Sequence, residues 1–145
     1  MDKSLSYLRS FDFSFVPRSS CHGDLTLENI IVTTNNELYL IDFLDSFYDS
    51  WMIDIAKLLQ DLELKWSYRF SEDDSNREIR LLIAKEALLN RIRVMDNGQE
   101  IIRNVYSILL LNILRILPYS KDDITIIFIE ESLNHTLDIL NRTVL

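Results

Sequence analysis

Five polar side chains interrupt an apolar, strand-like stretch over residues 21–46, and they constrain the fold more than any other feature of the chain. They stand among Ile, Leu, Val and Phe and are His22, Asp24, Asn29, Asp42 and Asp45. Burying a carboxylate without a partner costs on the order of 2 kcal/mol or more. These acceptors therefore indicate a site that binds metal ions and accepts a proton.

Two β-rich runs, residues 30–34 and 37–43, predict a β-hairpin that is buried. Asn35 and Asn36 separate the runs, and asparagine tolerates the positive φ of a tight turn. An isolated two-stranded hairpin is marginal in water, so this one must lie against something larger.

Four helices are predicted after the hairpin. Apolar residues recur at three- and four-residue spacings over residues 49–66, and residues 71–98 open with acidic side chains and close with arginines and Asn97-Gly98. A third helix is expected from about 99 to 117, ended by Pro118, and a fourth from near Asp122 almost to the end. The predicted fold class is α+β, mainly α.

Length and composition predict one globular domain over residues 1–145, with a catalytic loop and hairpin at 19–46 and a helical part at 50–145. A chain of 145 residues with 48% hydrophobic content can bury a core without disulfides. Cys21 is its single cysteine, which excludes an internal disulfide or a multi-cysteine zinc site and fits a reducing compartment. A cytoplasmic location is expected.

The charge balance argues against nucleic acid as a partner. The net charge of −8 repels a polyanion, and there is no long Lys/Arg run. The most apolar stretch, residues 104–114, is flanked by Arg103 and Arg115 and is too short to span a bilayer. We expect it to form a buried helix and expect no membrane partner.

Three of the polar side chains suit phosphoryl-transfer chemistry. Asp24 and Asn29 are placed on a loop that enters the hairpin, and Asp42 ends its second strand, so all three can meet at one edge. Two carboxylates and an amide oxygen suit magnesium, Mg²⁺. In such a site one Asp accepts the proton of a substrate hydroxyl, while the other Asp and the Asn hold metal.

At this point the motifs resemble a known family. His22-Gly23-Asp24, Asn29, Ile41-Asp42-Phe43 and the "IDIAKLL" segment around Asp54 are similar to the aminoglycoside phosphotransferase and choline kinase-like family of small-molecule kinases. The close resemblance covers about residues 19–59. It implies a protein-kinase-like fold, of which this chain would be the carboxy-terminal lobe with its β-hairpin and helices.

The resemblance implies ATP and Mg²⁺ as cofactors and a role for each motif residue. Asp24 would be the catalytic base, and His22 would brace the catalytic loop. Asn29 and Asp42 would bind the metal and, through it, the nucleotide.

Two further carboxylates would support this site. Asp54 would be structural, holding the catalytic loop in place. Asp45, three residues after Asp42, stands where relatives often carry an acidic residue, and its role is less defined.

The amino-terminal nucleotide lobe of such kinases has no counterpart in the sequence. Only 21 residues precede His22, and the only glycines are Gly23 and Gly98, so a glycine-rich phosphate loop is impossible. The "IAK" at Lys85 falls within a helical pattern and does not imitate the strand lysine. Three explanations stay open: the chain is a fragment or comes from a truncated gene, a separate polypeptide supplies the other lobe, or the lobe has a non-catalytic use. A separate chain carrying the missing lobe, or a homo-oligomer, is therefore a possible partner.

Two functions remain open from the sequence. The first is a small-molecule O-phosphotransferase that transfers the ATP γ-phosphoryl to a substrate hydroxyl and is incomplete without the other lobe. The alternative is a non-catalytic lobe remnant that acts as a binding or assembly module.

The nature of the acceptor also stays open. An aromatic group could form a cage for a quaternary ammonium such as choline, although a place in the core explains it more simply: Trp51, Trp66, Tyr68 and Phe70. His135 is interpreted as surface or core filler without a partner.

Overall fold

The structure is a computed structural model that describes residues 2–45 and 48–143. It is mainly helical. Within that part of the chain lie five α-helices and one two-stranded antiparallel hairpin. The predicted α+β, mainly α class is confirmed. Five residues of the predicted ranges lie outside the described part of the chain: Met1, Ser46, Phe47, Val144 and Leu145.

The hairpin pairs β1 (Ile30–Val32) with β2 (Leu38–Leu40), placing Ile30 opposite Leu40 and Val32 opposite Leu38. Asn36 has a φ of +60°, and the N–H of Thr33 donates to the carbonyl of Glu37 at 2.9 Å. The predicted turn therefore forms. The strands are shorter than the apolar runs because the turn already begins at Thr33.

Four helices follow the hairpin, as predicted: α2 (Trp51–Leu62), α3 (Ser75–Arg93), α4 (Gly98–Ile116) and α5 (Asp123–Thr143). Side chains that accept backbone N–H groups fix two of the starts, since Ser50 accepts from Met52 and Asp74 accepts from Asn76.

A helix before the hairpin, α1 (Asp2–Ser10), was not predicted from the sequence. It is short, and its fully buried residue is Ser4. Tyr7 joins it to α4 by a hydroxyl contact of 3.0 Å with Ser107. It was missed because it has only nine residues, of which Leu5, Tyr7 and Leu8 alone are apolar.

The core is built around α4, which packs against α1, α2, α3 and α5. Fully buried side chains from three helices meet there: Ala56, Leu59, Val105, Leu109, Leu110, Ile113, Ile129, Leu133 and Leu140. Each of the Leu, Ile and Val side chains contributes roughly 1.5–3 kcal/mol relative to exposure. The expected limit on length does not hold, because residues 104–114 belong to a longer helical stretch, Gly98–Tyr119, that is long and apolar enough to cross a membrane. In this structure 56% of its most apolar window is buried, as expected for a buried helix. The buried core helix of a soluble protein can be equally long and apolar.

The hairpin is exposed, so the expectation that it is buried is wrong for the described chain. Apolar side chains from both strands face solvent, and so do those that follow β2: Ile31, Val32, Leu38, Tyr39, Leu40, Ile41, Phe43 and Leu44. The helices pack on one another and leave the strand residues uncovered. Apolar composition alone did not reveal this.

A carboxylate at the end of α2 ties four helices together. Glu63 pairs with Lys85 of α3 at 3.1 Å, accepts from the Tyr106 hydroxyl of α4 at 2.9 Å and contacts Nε2 of His135 on α5 at 2.8 Å. Lys85 lies in a helix as expected, but the interpretation of His135 as lacking a partner is wrong. These two partners are distant in sequence from Glu63, so no local pattern pointed to them.

Glu63 stays ionised in this network. Burial raises the pKa of its carboxyl, but the contact with His135, the charge of Lys85 and the Tyr106 hydroxyl together outweigh burial and lower that pKa below its ordinary value of 4.5. For Tyr106, burial and the adjacent carboxylate raise the pKa above its usual range.

We expect Glu63→Gln to lower the free energy of unfolding by about 2 kcal/mol near neutral pH, because Lys85 and His135 lose an ionised partner. A group with a lowered folded pKa stabilises the fold above its unfolded pKa, and this stabilisation is lost as pH falls through the folded value. Urea unfolding from neutral to acid pH should therefore show the variant and parent converging at low pH.

The matched control is Glu86→Gln, whose carboxylate forms an exposed pair with Arg93 and should matter little at any pH. A loss in Glu63→Gln that is the same at neutral and acid pH would show that the Glu63 contacts are not ionic.

Candidate active site

Asp54 fixes the start of the loop that the motif occupies. Its two carboxylate oxygens accept the backbone N–H groups of His22 at 2.8 Å and Gly23 at 2.9 Å. Asp54 lies in the first turn of α2, so the loop is attached directly to a helix of the core. Two charge-assisted hydrogen bonds hold this part of the backbone in one conformation.

Gly23 allows the loop to approach the segment that follows the hairpin. Its φ is +87°, and a Cβ atom at this position would lie 2.0 Å from the carbonyl oxygen of Leu44. The N–H of Leu44 donates to the carbonyl of His22 at 2.9 Å. Only glycine combines this backbone conformation with this close contact.

The His22 ring joins the loop to the end of the hairpin. Nε2 donates to the carbonyl of Ile41 at 2.7 Å, Nδ1 accepts the N–H of Asp24 at 3.3 Å, and the ring packs 4.3 Å from that of Phe43. His22 is only 4% exposed. Because both ring nitrogens are engaged with backbone groups, His22 orients the loop and is not placed to exchange a proton.

Asp24 and Asn29 of this loop contact each other. Nδ2 of Asn29 donates to the backbone carbonyl of Asp24 at 2.8 Å and lies 3.5 Å from its Oδ2. Oδ1 of Asp24 forms an ion pair with Nζ of Lys57 at 2.9 Å. The Asp24 side chain remains 33% exposed, so a small molecule can reach the carboxylate.

Asp42 lies next to the same end of the hairpin. The N–H of Ile41 donates to the carbonyl of Asn29 at 3.1 Å. Asp42 follows Ile41 directly in the sequence, so its backbone lies close to Asn29. Asp42 has a φ of +57° and is exposed. Asp45 is also exposed, and the described contacts give it no part in this cluster.

Asn29 and Asp42 offer hard oxygen donors that suit Mg²⁺. Among the described residues, neither Oδ1 of Asn29 nor the carboxylate of Asp42 takes part in a hydrogen bond or ion pair with another residue. That part of the chain also contains no group of three or more His, Cys, Asp or Glu able to bind a metal. A magnesium ion held here would complete its coordination with water and phosphate oxygens, as Mg²⁺ commonly does.

Lys57 and Asp61 belong to this site and were missed from the sequence. Asp61 is fully buried and accepts the N–H of Leu27 at 2.8 Å, as well as the N–H and hydroxyl of Ser67 at 3.0 and 2.7 Å. Asp54, Lys57 and Asp61 are spaced by three and four residues, which places them on one face of α2. That spacing was the signal available in the sequence.

Arginines cover the aromatic side chains considered as a cage for a cation. Arg69 lies 4.0 Å from the ring centroid of Trp66 and 4.4 Å from that of Phe70, and Arg77 lies 4.6 Å from that of Tyr68. Trp51, Trp66 and Tyr68 also pack against the core. The core interpretation is therefore the better one for these three aromatics, whereas it is wrong for Phe70, whose side chain is exposed.

Comparison with protein families agrees with this geometry. The model of the APH family, described as "Phosphotransferase enzyme family", matches residues 10–93, which is more than half of the chain. The chain belongs to the phosphotransferase enzyme family. This confirms the predicted family. The match includes the loop, the hairpin, α2 and α3 of this phosphotransferase, whereas α4 and α5 lie beyond it. No curated protein and no solved structure matches the chain.

We expect Asp54→Ala to destabilise the phosphotransferase by about 2 kcal/mol or more, because two backbone N–H groups of the loop lose a charged acceptor. Urea unfolding measures the loss, and amide hydrogen exchange should accelerate at His22 and Gly23. Asp138→Ala, which removes an exposed carboxylate on α5, is the control. Unchanged exchange in the loop of Asp54→Ala would contradict the anchoring role of Asp54.

Proposed function

We propose that this phosphotransferase forms the catalytic lobe of a small-molecule kinase, which transfers the γ-phosphoryl group of ATP to a substrate hydroxyl. The observation that carries the proposal is the Asp24 carboxylate. The carboxylate is accessible, forms an ion pair with Lys57 and lies 3.5 Å from Nδ2 of Asn29, on a loop that His22 and Asp54 hold.

Asp24 would act as the general base. The substrate hydroxyl gives its proton to the Asp24 carboxylate. As it does so, the hydroxyl oxygen forms a bond to the γ-phosphorus, and the bond between that phosphorus and the oxygen of the leaving ADP breaks. The ion pair with Lys57 orients the carboxylate, and Asn29 holds the backbone carbonyl of Asp24. Its exposed part leaves room for the hydroxyl.

Asn29 and Asp42 would hold magnesium with the nucleotide. Bound Mg²⁺-ATP supplies the phosphoryl group and neutralises the charge of its phosphates. The support for this assignment is the oxygen donors of both side chains, which lie at the same end of the hairpin. ATP and Mg²⁺ use is general in the family and remains a proposal for this chain.

The exposed hairpin favours a partner on the face next to this site. Open strand edges and apolar side chains invite pairing with another surface. In the kinase proposal that surface is a nucleotide-binding lobe on another polypeptide or segment, or a second copy of the chain. The same exposure supports a second candidate function, a non-catalytic lobe that acts as a binding or assembly module.

Titration calorimetry with Mg²⁺-ATP separates these two functions. We expect saturable binding by the chain and at least about tenfold weaker binding by Asp42→Asn, because a metal ligand loses its charge. Asp96→Asn, an exposed carboxylate between α3 and α4, is the control. No binding by a chain that self-associates would instead favour the assembly module.

Asp24→Asn should lower the rate of phosphoryl transfer roughly a hundredfold or more, because an amide cannot accept the hydroxyl proton. The assay uses the chain together with its nucleotide lobe and follows ADP release with a panel of hydroxylated acceptors. Urea unfolding of Asp24→Asn should stay close to that of the parent, since the ion pair with Lys57 is partly exposed. Full activity of a folded Asp24→Asn would show that Asp24 is not the base.

A further inference from the structure

A cavity of about 470 Å³ opens beside the proposed base, where α2 meets the end of α4. Six side chains line it: Lys57, Asn112, Arg115, Ile116, Pro118 and Tyr119. Lys57 belongs to this lining and also pairs with Asp24 at 2.9 Å, so the cavity reaches the candidate site. Its volume lies within the range of about 300–1,000 Å³ that is usual for small-molecule sites.

The two cationic side chains of the lining are both engaged within the protein. The ammonium of Lys57 forms its ion pair with Asp24, and Arg115 has its own interaction partner. None of the described residues that line the cavity is Asp or Glu. A charged ligand would therefore lose hydration without gaining an unpaired charge of opposite sign, which disfavours its binding. The electrostatics of the cavity favour a neutral ligand.

Asn112 is the polar side chain that the lining leaves for a ligand. The residue is 4% exposed, and among the described residues its Nδ2 has no hydrogen-bond partner. A side-chain amide carries donors at one end and an acceptor at the other. A hydroxyl can serve either end because it both donates and accepts, whereas a carboxylate or an ammonium can serve only one. The amide therefore favours a hydroxylated ligand.

The rest of the lining suits the apolar face of a ring. Tyr119 is 82% exposed and follows Pro118 on the short turn Leu117–Tyr119, directly after α4. A sugar ring presents C–H groups on its faces and hydroxyls at its edge, so a face can pack on an aromatic side chain while the edge forms hydrogen bonds. The methylene groups of Lys57 add apolar surface while its ammonium stays on Asp24.

We propose that this cavity binds the acceptor, and that the acceptor is a neutral carbohydrate. One hydroxyl of the sugar forms a hydrogen bond with Asn112, and the face of the ring packs on Tyr119. Another hydroxyl lies at the carboxylate of Asp24, whose side chain is 33% exposed. This assignment rests on the proposed kinase function, and it names the class of acceptor that the function requires.

The test is titration calorimetry of the chain, without nucleotide, with glucose, galactose and mannose. Each sugar is matched with its amino sugar and its uronic acid, which keep the ring and add a positive or a negative charge. We expect at least one neutral sugar to bind saturably and its charged counterparts to bind no more tightly, because both cations of the lining are already engaged. Tighter binding of a charged counterpart, or no saturable binding by any of the three neutral sugars, would overturn the proposal.

Tyr119→Ala should weaken binding of the neutral sugar about fivefold or more, because the face of the ring loses its contact. Its urea unfolding should stay close to that of the parent, since the side chain is mostly exposed. The control is Phe15→Ala, which removes a ring that is 65% exposed and lies outside the lining. Equal sugar affinity in Tyr119→Ala and the parent would contradict the assignment.

Asn112→Leu provides an independent readout. Sugar affinity should fall about fivefold or more while stability stays equal or rises, because a buried amide without a partner is removed. Asn104→Leu replaces another buried asparagine of α4, outside the lining, and should leave sugar affinity unchanged. A loss of stability in Asn112→Leu with unchanged sugar affinity would show that Asn112 is structural and would overturn the assignment.

The acceptor assignment and the kinase proposal can fail separately. No nucleotide is present in the sugar titrations, so their failure leaves the Mg²⁺-ATP and Asp24→Asn results unaffected. Loss of Mg²⁺-ATP binding with sugar binding intact would instead count against the kinase proposal.

Discussion

The polar face of α2 is the constraint on which the rest of the site depends. Asp54 holds the N–H groups at the start of the loop, Lys57 holds the carboxylate of Asp24, and Asp61 holds the N–H of Leu27. The opposite face of the helix is buried against α4. A loop with little regular structure thereby acquires the rigidity of the core, which a catalytic group requires.

One departure from a fully satisfied fold coincides with a surface where another molecule is proposed to bind. The hairpin leaves apolar strand residues in solvent beside Asn29 and Asp42. Real proteins break local rules of folding at functional sites. In the kinase proposal, this uncovered surface is the one that a nucleotide-binding lobe or another partner would contact.

Sequence reasoning worked where the signal is local. The Asn36 turn, the four later helices and the grouping of Asp24 with Asn29 follow from neighbouring residues and short spacings. It failed for contacts between distant segments, such as that of Glu63 with His135 and that of Asp61 with Leu27. It also failed for α1, which is short and mostly polar.

The sequence by itself determined the family, the secondary structure after the loop and the residue types of the candidate site, because these depend on spacing along the chain. Only the tertiary structure decided that Lys57 pairs with Asp24, that the hairpin is uncovered and that Asp61 accepts the N–H of Leu27. Those facts depend on which helix faces pack together. Burial and pairing are set by partners that are remote in sequence, so periodicity cannot specify them.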